Sequence, residues 1–197
     1  MDVIQAMETT RAIRYLKPDP VPRELLERVI HAATRASSPG NSQGWDFVVV
    51  TDRATKAKIG PALRERMLGM VRAMPQSDAM VKRMLGGAQH LLENFENVPV
   101  WIFVCGRKVY PPGAGTEQMV HAALYPAAQN LIVAARSLGL GSTFTTFQLA
   151  AEPEMRAALN LPSDVSIGVC IALGYPDRPF GPVARKPVHE VLHWEKW

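Results

Sequence analysis

Residues 116–138, ending in HAALYPAAQNLIVAARSL, constrain the fold more than any other stretch. They are apolar around most of a helical circumference. A helix of that kind must be covered on most of its sides. In a chain of 197 residues it is either a central helix or part of a subunit interface. Pro126 within it predicts a kink, because proline lacks an N–H and crowds the carbonyl of Ala122. Gly139 and Gly141 end the helix.

The flanking sequence mixes both kinds of element. IQAMETTRAI reads as a short helix running into a polar turn, and PDPVP at 18–22 as an extended stop. RELLERVIHAATRA places Leu25, Leu26, Val29, Ile30 and Ala33 at helical spacing. SSPGNSQG is a dense turn cluster. WDFVVVT follows as a strand whose three valines suit a sheet covered on both faces. Residues 53–95 are helical in pattern, broken near Pro75, and carry Met67, Met70, Met74, Met80 and Met84. The methionines read first as core filler, with a pliable lid over a substrate pocket (61–95) as the alternative. VPVWIFVC, the shorter STFTTF and VSIGVCIALGYP read as strands, and PEMRAALNL as a helix. PDRPFGPVARKP reads as an extended tail, and VHEVLHW as a final strand-like piece. There is no steady βαβ alternation, which favours α+β. With no repeat and no linker, residues 1–197 form one domain.

Several function classes are excluded. A net charge of +4 comes without a basic block or an aromatic–basic RNA motif, so no nucleic-acid partner is expected. No apolar run approaches the ~20 residues of a membrane span. MDVIQAMETTR lacks the pattern of a secretory signal, so a cytoplasmic protein is expected. Cys105 and Cys170 lie in apolar strands and read as small buried hydrophobes. GxSxG, HExxH, the P-loop and the dinucleotide fingerprint are all absent. His31, His90, His121, His189 and His193 form no convincing metal pair, so no metal is expected. No catalytic side chain stands out, and an enzyme of this composition needs an organic cofactor for the difficult step.

Three polar clusters suit such a cofactor. Arg11 and Arg14, at i and i+3, would meet one phosphate from a single turn. Ser37 to Gln43 concentrates hydroxyls and amides on one short loop, suited to the edge of a heteroaromatic ring. Arg185 and Lys186 supply a second source of positive charge.

The order of an Arg-containing turn, SSPGNSQGWDFVVVTD, YPAAQNLIVAARSLGLGSTFTT, IALGYPD and RKPVHEVLHW resembles the FMN-dependent nitroreductase family over nearly the whole chain. The resemblance implies a three-layer α-β-α sandwich with a mainly antiparallel central sheet. It also implies a homodimer with exchanged terminal segments and one FMN per subunit at the interface. The chemistry implied is ping-pong: NAD(P)H reduces the flavin, leaves, and gives way to a small acceptor such as a nitroaromatic or a quinone. By motif position, Arg11 and Arg14 would hold the phosphate, helped by Arg185 or Lys186. Ser38, Asn41 and Gln43 would contact the ribityl chain and the ring edge, with Pro39 beside them. Thr143, Phe144, Thr145 and Thr146 would lie near the reactive nitrogen. The family's usual serine is Ala12 here and its leading arginine is Thr10, so one hydroxyl is lost and the Ala12 N–H remains to donate. A flavin-binding or sensing module without physiological turnover is the alternative function.

Overall fold

The computed structural model describes residues 1–197. Its frame is a sheet of four strands: β1 (Trp45–Val50), β2 (Val100–Gly106), β3 (Gly141–Thr145) and β4 (Ser166–Gly174). They run in the order β1-β2-β4-β3 and every neighbouring pair is antiparallel. β2 and β4 occupy the middle, and both are apolar without alternation because both of their faces are covered. Trp101, Phe103 and Cys105 face one layer, and Val100, Ile102 and Val104 the other. A bulge between Val104 and Cys105 lets Ile167 join the first face.

Two helical layers complete the sandwich. On one side lie α2 (Arg23–Ala33) and α7 (Glu117–Ser137). On the other lie α3 (Arg53–Ala57), α4 (Gly60–Leu63), α5 (Gly69–Ala73), α6 (Ala79–Glu93) and α8 (Gln148–Leu159). A π turn at Arg64–Leu68 joins α4 to α5. The short α1 (Val3–Thr9) packs near the end of α7, where the Arg136 Nε donates to Thr9 Oγ1 at 2.9 Å. The α+β sandwich and its antiparallel sheet thus stand as expected from the sequence.

α7 seats a stripe of small residues, Val120, Ala123, Leu124, Ala127, Ala128, Leu131 and Ala135, on the sheet. Leu124 fills the space left by two glycines: a Cβ at Gly168 would stand 2.5 Å from its Cδ1, and one at Gly106 2.9 Å from its Cδ2.

Four local expectations need correction. One is a matter of extent: α7 continues as a helix on both sides of Pro126, whose missing N–H removes one bond of the ladder, rather than ending there. β1 is an edge strand with Val49 open to solvent, so its valines do not mark a doubly covered strand. Four of the five methionines are not core filler: Met70, Met74, Met80 and Met84 are exposed, Met80 at 68%, and only Met67 packs against the core. VHEVLHW is no strand; Val188–Glu190 is a single exposed 3₁₀ turn with no sheet edge to join.

Truncating Leu124 to alanine empties the space between α7 and both central strands. The expected loss is about 2–5 kcal/mol. It should appear as a lower urea midpoint with an unchanged slope.

Candidate functional site

After α1 the chain becomes extended rather than helical, so Arg11 and Arg14 do not share a helical turn. Ala12 forms a parallel bridge with Ser142. The Ile13 N–H donates to the Ser142 carbonyl at 2.8 Å, and the Thr143 hydroxyl donates to the Ile13 carbonyl at 2.5 Å. The segment therefore forms a rim outside β3. Gly141 permits the approach: a Cβ there would stand 2.8 Å from Ile13 Cγ2. Farther on, the Lys17 N–H donates to the Tyr175 carbonyl, and the Asp177 N–H to that of Tyr15.

Arg14 is half-buried and makes no hydrogen bond or ion pair. Burial, and then the neighbouring charge of Arg11, hold its guanidinium below the usual arginine pKa. The other half-buried arginines have partners. Arg64 pairs with Glu96, Arg107 with Asp46 and Asp164, Arg156 with Glu152, and Arg136 with Thr9 and the Phe180 ring. A desolvated cation without a counter-ion is costly unless an anion completes it.

The second cluster adopts a 3₁₀ turn at Pro39–Asn41. Gly40, Asn41 and Gln43 have left-handed φ values of 58°, 49° and 50°. The Gln43 N–H donates to Ser38 Oγ at 3.1 Å. Asn41 tolerates this backbone, whereas Gln43 is strained in it, and such strain tends to collect at functional sites. Gly40 is obligatory here: a Cβ would lie 2.3 Å from Tyr110 Cε2. The Asn41 and Gln43 side chains are exposed.

β3 divides its residues by face. Thr143 and Thr145 are buried, and their hydroxyls donate to the carbonyls of Ile13 and Cys170. Phe144 and Thr146 are exposed. The Phe144 ring lies 6.0 Å from that of Tyr125, which stacks on His121 at 5.0 Å. The tail reaches the arginine corner as well. Gly181 lies beside Arg11, and the Val183 N–H donates to the Glu8 carbonyl. Arg185 and Lys186 follow, exposed, with Arg185 donating only to the Ala184 carbonyl.

One chain does not bring the clusters together. Trp45 is level with Gly106 and Ser166 at one end of the sheet, while Ser142 is level with Leu173 at the other. Six residues of β2 and four strand spacings separate the serine-rich loop from the arginine rim, or roughly 25–30 Å. That is longer than a flavin mononucleotide.

Other groups offer less. Burial pushes the Cys105 thiol up to about 12 and raises that of Cys170 further, so neither is a thiolate at neutral pH. No three His, Cys, Asp or Glu side chains are grouped to hold a metal ion. No helix is long and apolar enough to cross a membrane. A polar cavity of about 330 Å³ lies between Arg107–Val109 and Ser163–Ser166, but its two cations already face Asp46, Asp164 and Glu117. Tyr110, His90 and Arg178 adjoin the two clusters without any sequence signal, since each is brought there by a distant element; Tyr15, next to Arg14, is where His90 and Arg178 meet the rim.

The fold is thus an antiparallel sandwich with an unpaired arginine rim outside one edge strand and a strained amide-rich loop leading into the other. The chain belongs to the Nitroreductase family, whose profile matches residues 7–175. It is 31% identical to a NADH dehydrogenase of Thermus thermophilus, over 98% of this chain and 96% of that one. Two solved structures, each 21% identical, share the fold over the full length of both chains. An iodotyrosine deiodinase bound to FMN and 3-iodo-L-tyrosine superposes with a TM-score of 0.80. An FMN and NADPH-dependent nitroreductase from Sphigopyxis sp. strain HMH superposes with 0.76.

Arg14→Met should raise the melting temperature of the ligand-free protein, because it removes an unpaired, half-buried charge. Inorganic pyrophosphate should stabilise the parent protein and leave this variant's melting temperature unmoved.

Proposed function

We propose that this chain is an FMN-dependent oxidoreductase that uses NAD(P)H to reduce small acceptors such as nitroaromatics or quinones. The observation that carries this reading is Arg14, a half-buried cation with no protein counter-ion beside a second arginine. Its surroundings fit a phosphate monoester: two guanidiniums, the free N–H of Ala12 at the rim, and Arg185 and Lys186 on the tail that passes Arg11. FMN, when bound, supplies a two-electron carrier that is reduced by NAD(P)H and reoxidised by the acceptor in a ping-pong cycle.

The protein's part is to bind and orient. Asn41 and Gln43 offer amides to the polar edge of the ring, with Ser38 holding their loop and Pro39 packing beside it. Phe144 on β3 and Thr146 just after it present an open face. Thr143 and Thr145 contribute through their backbone, since their hydroxyl protons are engaged inward.

The span between the two clusters supports a homodimer. A single FMN reaches both only if the rim comes from one copy and the loop from a second. A homodimer also accounts for the apolar groups left open in one chain: Val3, Ile4 and Met7 on α1, Tyr125 on α7, and Leu192, Trp194 and Trp197 on the tail. Residues 1–197 act as one domain, with 61–95 as a lid whose exposed methionines meet the acceptor.

Anaerobic NADPH or NADH should bleach the visible flavin spectrum of the purified protein, and a colourless protein that ignores added FMN would defeat this reading. The shared site has its own test. Arg14→Met and Asn41→Ala homodimers should each be nearly inactive. Mixed after mild dissociation, they should regain about a quarter of the parental activity, since half of the dimers carry one intact site. No recovery on subunit exchange would place both clusters in one chain's site.

A further inference from the structure

Helix α6 touches the arginine rim at two points one turn apart. At Gly87 a Cβ would stand 2.8 Å from Arg14 Cδ, so the missing side chain is the notch in which the arginine stem lies. At His90 the ring stacks on Tyr15, the residue after Arg14, with centroids 4.2 Å apart and planes at 24°. The Arg178 guanidinium lies 3.6 Å from the centroid of the same tyrosine. Two groups so close to one ring cannot share a face, so the three side chains form a column with Tyr15 in the middle. The column is tied at both ends. Asn94 Nδ2 lies 3.3 Å from His90 Nδ1, and the Asp177 N–H donates to the Tyr15 carbonyl at 3.0 Å.

We propose that His90 is a positioning residue for Arg14: through the His90–Tyr15–Arg178 column it fixes the rim so that the unpaired guanidinium is already aimed at the phosphate. This role presupposes the phosphate clamp proposed above. A long cationic side chain loses rotamer freedom when it grips an anion, and a stem held in advance loses less. The column also joins the clamp to α6, the last helix of the 61–95 segment, so lid and phosphate site share one support.

The charged groups facing His90 are Glu93 on its own helix, Asp177 and Arg178 after β4, and Arg14 beside Tyr15 on the rim. Burial is the main influence on the ring, followed by opposing charges of Glu93 and Arg178; together they hold it below the ordinary value of 6.5. The neutral ring is therefore the folded state's form above that pH. As pH falls below 6.5, a proton on His90 adds a cation to a column that already holds Arg178, and the stack loosens.

The test is the affinity of the flavin-free protein for FMN and for riboflavin, which lacks the phosphate, read by fluorescence quenching. His90→Ala should weaken FMN binding about tenfold and leave riboflavin nearly unchanged. His90→Phe, which keeps a ring on Tyr15, should restore the parental ratio. It should also remove the extra loss of FMN affinity below pH 6.5; the phosphate's own ionisation is common to both proteins. An unchanged FMN-to-riboflavin ratio in His90→Ala would overturn the role, as would equal losses for both flavins, which mark a merely structural contact. Should His90→Ala fail to fold, Arg178→Ala removes the exposed layer of the column and is judged by the same ratio. A parent protein that binds neither flavin would instead overturn the cofactor reading.

Discussion

The pairing of an extended rim with β3 is the constraint on which the site depends. Ala12, Ile13, Ser142 and Thr143 are joined by a backbone bridge, a backbone hydrogen bond and a buried hydroxyl. These contacts are short, and they close a gap of about 130 residues in sequence. They convert the end of α1 into an extra edge of the sheet. Thr143 matters here less as a ligand than as a donor to Ile13. A valine of the same shape would leave that buried carbonyl unsatisfied. Once the rim is fixed, the backbone that carries Arg11 and Arg14 is fixed with it, and the tail at 176–183 is laid beside them by its own bonds to Tyr15 and Glu8.

The same rim is the reason the proposed flavin site draws on two copies of the chain. The serine-rich loop enters β1 at one end of the sheet, and the rim leaves β3 at the other. A sheet is stiff on the scale of a ligand, so no rotamer change brings these corners together. In the proposed homodimer a two-fold axis would set a loop from one copy beside a rim from the other without any bending. The apolar face of α1 and the tryptophans of the tail are consistent with that arrangement.

Much of the fold was legible in the sequence, and the reason is burial. β2 and β4 are uninterrupted apolar runs because helices cover both of their faces, and α7 is Ala-rich because it must approach the sheet closely. What stayed hidden was the side on which each apolar residue finds a neighbour. Helical spacing put the methionines of 67–84 on helices, but spacing does not show whether anything packs against that face, and four of them face solvent. The i, i+3 spacing of Arg11 and Arg14 suggested a helical turn, yet α1 ends earlier, where Thr9 and Thr10 turn their hydroxyls back to the carbonyls of Gln5 and Ala6. Tyr110 against Gly40, and His90 against Tyr15, were invisible because tertiary packing alone joins them.

Arginine serves two ends in this protein, and the difference lies in the partners. Around the 61–95 segment, Arg64 grips Glu96 with two hydrogen bonds of 2.8 Å, Arg66 does the same with Glu154, and Arg72 meets Glu93. These pairs fasten α5 and the π turn to α8, α6 and the turn after α6, while Met70, Met74, Met80 and Met84 stay free of the core. The 61–95 segment is thereby anchored at its base by charge, with methionines open at its surface. At the rim the same residue type is given an aromatic column, a glycine notch and a second arginine, but no carboxylate. Supplying one would satisfy Arg14 in the free protein and remove the reason for an anion to bind. The instability of an unpaired guanidinium is thus a local weakness that a phosphate can relieve, and the packing of Gly87 and His90 keeps that weakness in place.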